Sequence, residues 1–429
     1  MRKIFSHLLI FIITLLSLYL LLVAASAIPN DMIKANMEKS ALSYKEKQAF
    51  SYDGETKLKD TADNYADAIL LCVSWNMGEG SPFVSALDTK YNDGEDYGEN
   101  AGFYLSVTQN EKPNTDYSRY WHGSAMLIRP LHLFSDVDGI KLMGLIFAIL
   151  LAVFALIILI KHKHIMLGVS LALSLALVHI WNIKLSLEYQ PAILIALLFC
   201  ILFLIAERKS DNALTYLSVI CGVAVAFFDF LTTETLTILL PLILTIAVRA
   251  KEQRCGDFKS CIRLLLFCLI SWGIAYCLTF IIKWSVASLA TGENKFILAL
   301  TSAGERFGST AETNLNPIAA IFLAPLANLS TLFGSVVRVD IPRVIIGIIL
   351  FAMVALSVVY LFGKKPTDKT PQKLLSILGV IVFVRFMILS NHSYLHEFFT
   401  YRALAAPILA VLAGLCISCT PSRKETKKR

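Results

Sequence analysis

The sequence predicts an all-α polytopic membrane protein with about ten transmembrane helices and a large external loop after the first. Three observations predict it. Of 429 residues, 56% are hydrophobic and 17% charged, with mean hydropathy +0.65; an average soluble protein carries about 25% charged residues. The apolar runs are roughly 17–22 residues long, enough to cross the hydrocarbon core as helices. Helix is the default there because lipid offers the backbone no hydrogen-bond partners, and the runs lack the alternation of a membrane barrel.

The predicted spans lie at about 5–26, 140–160, 165–182, 191–206, 213–230, 236–249, 264–283, 343–362, 374–390 and 402–419. The first begins after Met1-Arg2-Lys3 and ends at Ala25-Ser26-Ala27, which resembles a signal-peptidase site. Its apolar run exceeds the roughly 7–15 residues of a signal core, so an uncleaved anchor is expected. Lys161 to Lys163, Arg208-Lys209, the stretch from Arg249 to Arg263, Lys364 to Lys373 and the tail from Arg423 are the basic connections. Ten spans with both termini cytoplasmic place all of them inside. The apolar stretch 316–337 would break that arrangement as a single crossing. Asn316-Pro317, Pro325 and Gly334 mark it as a broken, re-entrant segment instead.

This divides the chain into a first helix or signal anchor (1–27), an external acidic loop domain (28–139), a transmembrane helical domain (140–420) and a basic cytoplasmic tail (421–429). The helical domain includes an external re-entrant segment near 284–342. The loop domain holds 18 acids and 10 bases, a net −8, while the whole chain is +7. Nine cysteines hold one CxxC, Cys416-Ile417-Ser418-Cys419 at the end of the last apolar run, and no His/Cys grouping, so they read as small apolar filler rather than a disulfide or zinc framework.

Four polar groups fall on the external side. After the first span come Asp31 and then Asp60, Asp63 and Asp67 in KDTADNYADA. A carboxylate just outside a membrane can serve as a general base or bind a divalent cation, or simply cap a helix. Arg119, His122 and Arg129 frame RYWHGSAMLIR, three potential cations on the face where positive charge is disfavoured. Asp229 and Glu234 sit in the short turn FDFLTTE, with His179, Lys184 and Glu188 on the preceding external turn. Last is RFMILSNHSYLHEFFTYR. Arg385 lies inside an apolar run, where an unpaired charge costs roughly 2.5 kcal/mol or more, and His392, His396 and Arg402 follow it. Arginine forks suit phosphate oxygens. The histidines are four apart, but no HExxH is present to make a zinc hydrolase of them.

No Walker A, GxGxxG or GxSxG sequence occurs, which argues against ATP-driven transport and the soluble-enzyme classes. External carboxylates with external arginines above a helical bundle resemble the GT-C class of integral membrane glycosyltransferases. Pieces such as RYWHGSAMLIRPL, FFDFLTTETLTILLPL and NHSYLHEFFTYRA also look like segments of bacterial polytopic proteins of cell-envelope polysaccharide loci. The resemblance implies a polyprenyl-phosphate-linked sugar as donor, a glycan or lipid acceptor, and a bacterial cell membrane location. It implies membrane lipid as a partner and no nucleic acid. It makes Asp31, Asp63 and Asp67 the base candidates. Arg385 and Arg402 become phosphate holders, with Arg119, His122, Arg129, Asp229, Glu234, His392 and His396 on the substrate. A tight acidic pair right after the first span, frequent in that class, is lacking. A flippase for lipid-linked oligosaccharide and a non-catalytic assembly partner are the competing readings.

Overall fold

The computed structural model describes residues 2–52, 58–307, 316–332 and 369–418. Among these the chain is built almost entirely of helices. The first helix, α1 (Arg2–Ser26), leads into a loop domain of five helices, α2 (Asn30–Tyr44), α3 (Asn64–Asn76), α4 (Pro82–Ser85), α5 (Glu99–Thr108) and α6 (Ala125–Leu131). Two short antiparallel ladders stitch it: β1 (Phe50–Tyr52) to β2 (Thr61–Asp63), and β3 (Lys90–Tyr91) to β4 (Thr115–Asp116). The bundle follows: α7 (Val137–Lys161), α8 (Ile165–Leu177), α9 (Gln190–Ala206), α10 (Asp211–Phe228), α11 (Leu236–Lys251), α12 (Phe258–Thr291), α13 (Lys295–Phe307) and α14 (Pro317–Leu332). It closes with α15 (Thr370–Ile388), the short helices α16 (Ser390–Leu395) and α17 (Glu397–Thr400), and α18 (Ala405–Ser418).

The chain is a multi-pass membrane protein, but the count of about ten spans does not hold. Among the described residues six helical segments are long and apolar enough to cross: Lys3–Ser26, Val137–Lys161, Asp211–Phe228, Phe258–Thr291, Thr370–Ile388 and Glu397–Ser418. The stretches predicted as spans at 165–182, 191–206 and 236–249 do form helices. Their 13, 17 and 16 residues extend about 20–26 Å at 1.5 Å per residue, at or below the lower limit for crossing a hydrocarbon core of about 30 Å, and they are not among the six. α9 and α11 are buried along most of their length, so their apolar character serves packing against neighbouring helices. The predicted span at 343–362 lies outside the described residues.

Helix ends are fixed by local chemistry. Asp136 accepts from the Gly139 N–H at the start of α7, and Ser210 from the Ala213 N–H at the start of α10. Pro191 opens α9, where its missing N–H is no loss. α10 and α12 cross so closely that a Cβ on Gly222 would stand 2.3 Å from the Trp272 carbonyl oxygen, the small-residue packing common between membrane helices.

Contacts sort the connections onto two faces. On one, His164 meets Glu252 (3.0 Å), Arg249 meets Asp211 (2.8 Å) and Arg254 meets the fully buried side chain of Glu207 (2.8 Å). On the other, the turns after α8, α10 and α15 meet the loop domain or one another. That domain is not a separate globule. Its apolar core is continuous with faces of α1, α10 and α12. α12 has 34 residues, about 51 Å against a hydrocarbon core of about 30 Å, and its C-terminal half packs on the loop domain. There Trp121 Nε1 donates to Thr279 O (2.9 Å), Trp284 Nε1 to Arg119 O (3.0 Å) and Lys283 Nζ to Leu87 O (2.8 Å).

Candidate anion site

Of the two arginines expected to hold phosphate, Arg385 has its donors committed within the protein. In the last turn of α15 it grips Glu234 with both forks, Nε to Oε1 at 2.9 Å and Nη2 to Oε2 at 3.0 Å. Nη1 donates to Ser393 Oγ (3.0 Å) and Nη2 to Leu231 O (2.7 Å). Leu231 holds φ at +69°, an uncommon conformation for a bulky residue, and so turns its carbonyl onto the guanidinium. Asp229 is also buried here, accepting from both the N–H and the hydroxyl of Thr232. Asp229, Glu234 and Arg385 thus form one internal charge cluster.

Arg402 is the opposite case. The 3-10 turn Tyr401–Leu404 carries it into the protein, 1% exposed, with its guanidinium 4.5 Å from the Tyr189 ring centre and 5.2 Å from that of Tyr401. None of its three guanidinium nitrogens has a hydrogen-bond partner among the described residues. A buried charge in that condition carries a desolvation penalty of several kcal/mol, which an anion would offset. Two more buried polar atoms without partners lie close by, the Tyr401 hydroxyl and His179 Nδ1. The His179 and Tyr401 rings are 6.3 Å apart. Lys59 Nζ donates to His179 Nε2 at 3.0 Å, so the hydrogen of the neutral imidazole sits on Nδ1. Burial, aided by Lys59, holds this histidine below its ordinary pKa, so the imidazole stays neutral. A guanidinium, an imidazole N–H and a phenol, all buried and unengaged, make a donor set suited to an anion.

The site is assembled from three segments. The turn after α8, with His179 at φ +52°, brings His179 and Tyr189. Asn182 fastens this turn to the loop domain, donating to Asp60 Oδ1 (2.8 Å) and Lys59 O (2.9 Å), while the Tyr189 hydroxyl donates to Thr61 O (3.0 Å). The third segment is α16–α17 and the turn after them, pinned by Asn328 of α14. Asn328 Nδ2 donates to Ser393 O (2.7 Å), and its oxygen accepts from the Thr400 hydroxyl (2.7 Å). The same Ser393 binds Arg385, so one pinned segment joins the two arginines. α14, part of the stretch read as re-entrant, packs on this segment and has Ala324, Pro325, Ala327 and Asn328 buried.

The three base candidates part company. Asp31 is exposed in the first turn of α2. Asp67 is fully buried and saturated: Lys141 Nζ lies 2.5 Å away, Tyr44 donates at 2.8 Å, and Ser186 Oγ and Leu187 N at 2.6 and 2.7 Å. Asp67 is therefore a joint between α3, α7 and the turn after α8. Asp67→Ala leaves the Lys141 ammonium buried without its counter-charge and is expected to lower stability by about 3–5 kcal/mol. Thermal unfolding in detergent should show this, with partial recovery on adding Lys141→Met. An unchanged midpoint for Asp67→Ala would contradict the assignment. Asp63 caps α3, accepting from Ala66 N at 2.8 Å through Oδ1; its other oxygen has no partner among the described residues. Burial pushes its pKa up to about 7, with Asp67 adding to the effect. Asp63 ends strand β2, whose Thr61 carbonyl accepts from the hydroxyl of Tyr189, the tyrosine under Arg402.

Arg129 clamps helix ends. Nε donates to Ala25 O (3.0 Å) and Nη2 to Asn30 Oδ1 (3.1 Å), with Ser74 O and Ile28 O also bound. It neutralises the carbonyl ends of α1 and α3. His122 is not a cation: burial lowers its pKa to about 3, and its Nε2 sits 3.0 Å from Tyr117 O among aromatic rings. Arg119 stacks on Tyr117 and Tyr120. The His392 and His396 rings lie 4.7 Å apart at the junction of α16 and α17. Among the described residues no group of three His, Cys, Asp or Glu side chains is arranged to hold a metal. In the acidic stretch Asp93-Gly94-Glu95-Asp96 of the loop domain, Asp93 Oδ1 caps its own turn by accepting from Glu95 N (2.9 Å).

The sequence pointed to Asp60, Asp63, His179 and Arg402 but gave no role to Lys59, Tyr189 or Tyr401, although Lys59 and Tyr401 stand inside the same polar runs. A basic residue next to Asp60 and tyrosines flanking the other candidates were the available signals. No known protein family, curated protein or solved structure matches this chain.

Proposed function

We propose that this chain is a membrane glycosyltransferase that moves a sugar from a polyprenyl-phosphate donor to a cell-envelope glycan or lipid acceptor. The reaction takes place on the external face of a bacterial cell membrane, with both termini cytoplasmic. One observation carries the reading: the unengaged, buried donors of Arg402, His179 and Tyr401 beside an acidic loop domain. In the reaction, Asp63 takes the proton of the acceptor hydroxyl as the oxygen attacks the anomeric carbon. The bond from that carbon to the phosphate oxygen breaks, and the electron pair stays with the lipid phosphate. Arg402 and the His179 N–H stabilise the charge that develops there. Arg385 and Asp67 act as structural supports.

A base with a pKa of about 7 is protonated and idle below that value. Transfer is therefore expected to rise with pH through about 7 and level off above it. Asp63→Asn should remove most of the activity and this limb with it. A flat profile from pH 5 to 8 would contradict a base role for Asp63.

The charge cluster of Arg385, Glu234 and Asp229 favours a second reading, since ionisable residues inside a bundle often mark a transport path. Purified protein incubated with a polyprenyl-phosphate sugar separates the alternatives. Release of polyprenyl phosphate supports the enzyme. Binding without turnover supports a flippase, and neither result supports an assembly partner.

A further inference from the structure

On the face opposite the candidate site, Cys255 Sγ and Cys261 Sγ are 3.3 Å apart. Cys255 belongs to the loop between α11 and α12 and is half-buried; Cys261 lies in the first turn of α12 and is 8% exposed. This loop is a junction for the bundle. Its Glu252 meets His164 at the start of α8, and its Arg254 binds both oxygens of Glu207 at 2.8 Å at the end of α9. The two sulfurs touch across one turn of chain, within reach of the 2.03–2.05 Å of a disulfide by a small local adjustment.

We propose that Cys255 and Cys261 form a thiol switch that closes to an intramolecular disulfide when a small-molecule disulfide of the glutathione type is present. The Cys255 thiolate, the more accessible of the two, attacks one sulfur of oxidised glutathione. This forms a mixed disulfide and releases one glutathione thiolate. The Cys261 thiolate then attacks the Cys255 sulfur, forming the protein disulfide and releasing the second glutathione. Two protein thiols are oxidised and one external disulfide is reduced. The bond ties the connecting loop to the start of α12 and restrains the segment that holds Glu207 and His164. In a reducing cytoplasm the pair stays open, which makes the closed form a response to oxidation.

The test uses the full chain in detergent, treated with oxidised glutathione and then mapped by peptide mass spectrometry without reduction. Wild type should yield a Cys255–Cys261 cross-linked peptide two hydrogens lighter than the reduced pair, with no lasting glutathione adduct. Cys261→Ser should trap glutathione on Cys255, and Cys255→Ser should leave Cys261 unmodified. Hydrogen exchange over residues 252–257 should slow in oxidised wild type and not in either variant. A stable adduct on Cys255 of wild type would overturn the proposal. So would an unreacted pair alongside modification of the exposed Cys277.

Discussion

Arg402→Ala is expected to lower polyprenyl-phosphate-dependent transfer by about 10²–10³-fold, the usual loss when one donor to a developing oxyanion is removed. The same substitution should leave thermal stability unchanged or raise it. Its guanidinium engages no protein acceptor, so truncation breaks no hydrogen bond and removes a desolvated charge. Arg402→Lys keeps the charge but loses the planar fork, and should fall between wild type and alanine. Transfer and equilibrium binding of a short-chain polyprenyl phosphate, measured beside a detergent melting curve, check all three statements. If Arg402→Ala unfolds the protein, or binds the lipid phosphate as wild type does, the anion site is not there.

Arg385→Ala should do the reverse and destabilise the protein by about 3–5 kcal/mol, because Glu234 is left buried without its partner. Glu234→Ala should be comparably damaging. The double variant Arg385→Met/Glu234→Leu, which removes both charges together, should be better folded than either single one. Chemical unfolding in detergent measures each step. Equal stability of Arg385→Ala and wild type would mean that the bidentate pair contributes little. The contrast between the two arginines is the informative result, since both are buried and 17 positions apart in one sequence run.

That contrast marks where reading the sequence stops. A charge in an apolar run is legible, and Arg385 stood out that way; Asp229 and Glu234 stood out as acids in a short turn between apolar runs, and Arg402 as a second arginine just beyond Arg385. Whether a buried charge already has a partner is not legible, because the partner comes from a distant turn: Glu234 for Arg385, Lys141 for Asp67. Asp63 and Asp67, four residues apart, looked equivalent. One caps a helix with an oxygen to spare and the other is locked by four contacts. The helical membrane class followed from composition, whereas the number of crossings did not. Apolar character marks burial against protein as readily as burial in lipid, and α8, α9 and α11 are shorter than the six helices long enough to cross. Lys59, Tyr189 and Tyr401 became visible only once turns around His179 and Arg402 had brought them together.

Asn328 has a bearing on affinity. With both ends of its amide engaged by the segment that leads to Arg402, the chain there is already ordered when a ligand arrives. A flexible segment would lose freedom on binding and subtract that loss from the affinity. Here folding has met the loss beforehand, so a single arginine can hold a phosphate with more of its intrinsic interaction energy retained.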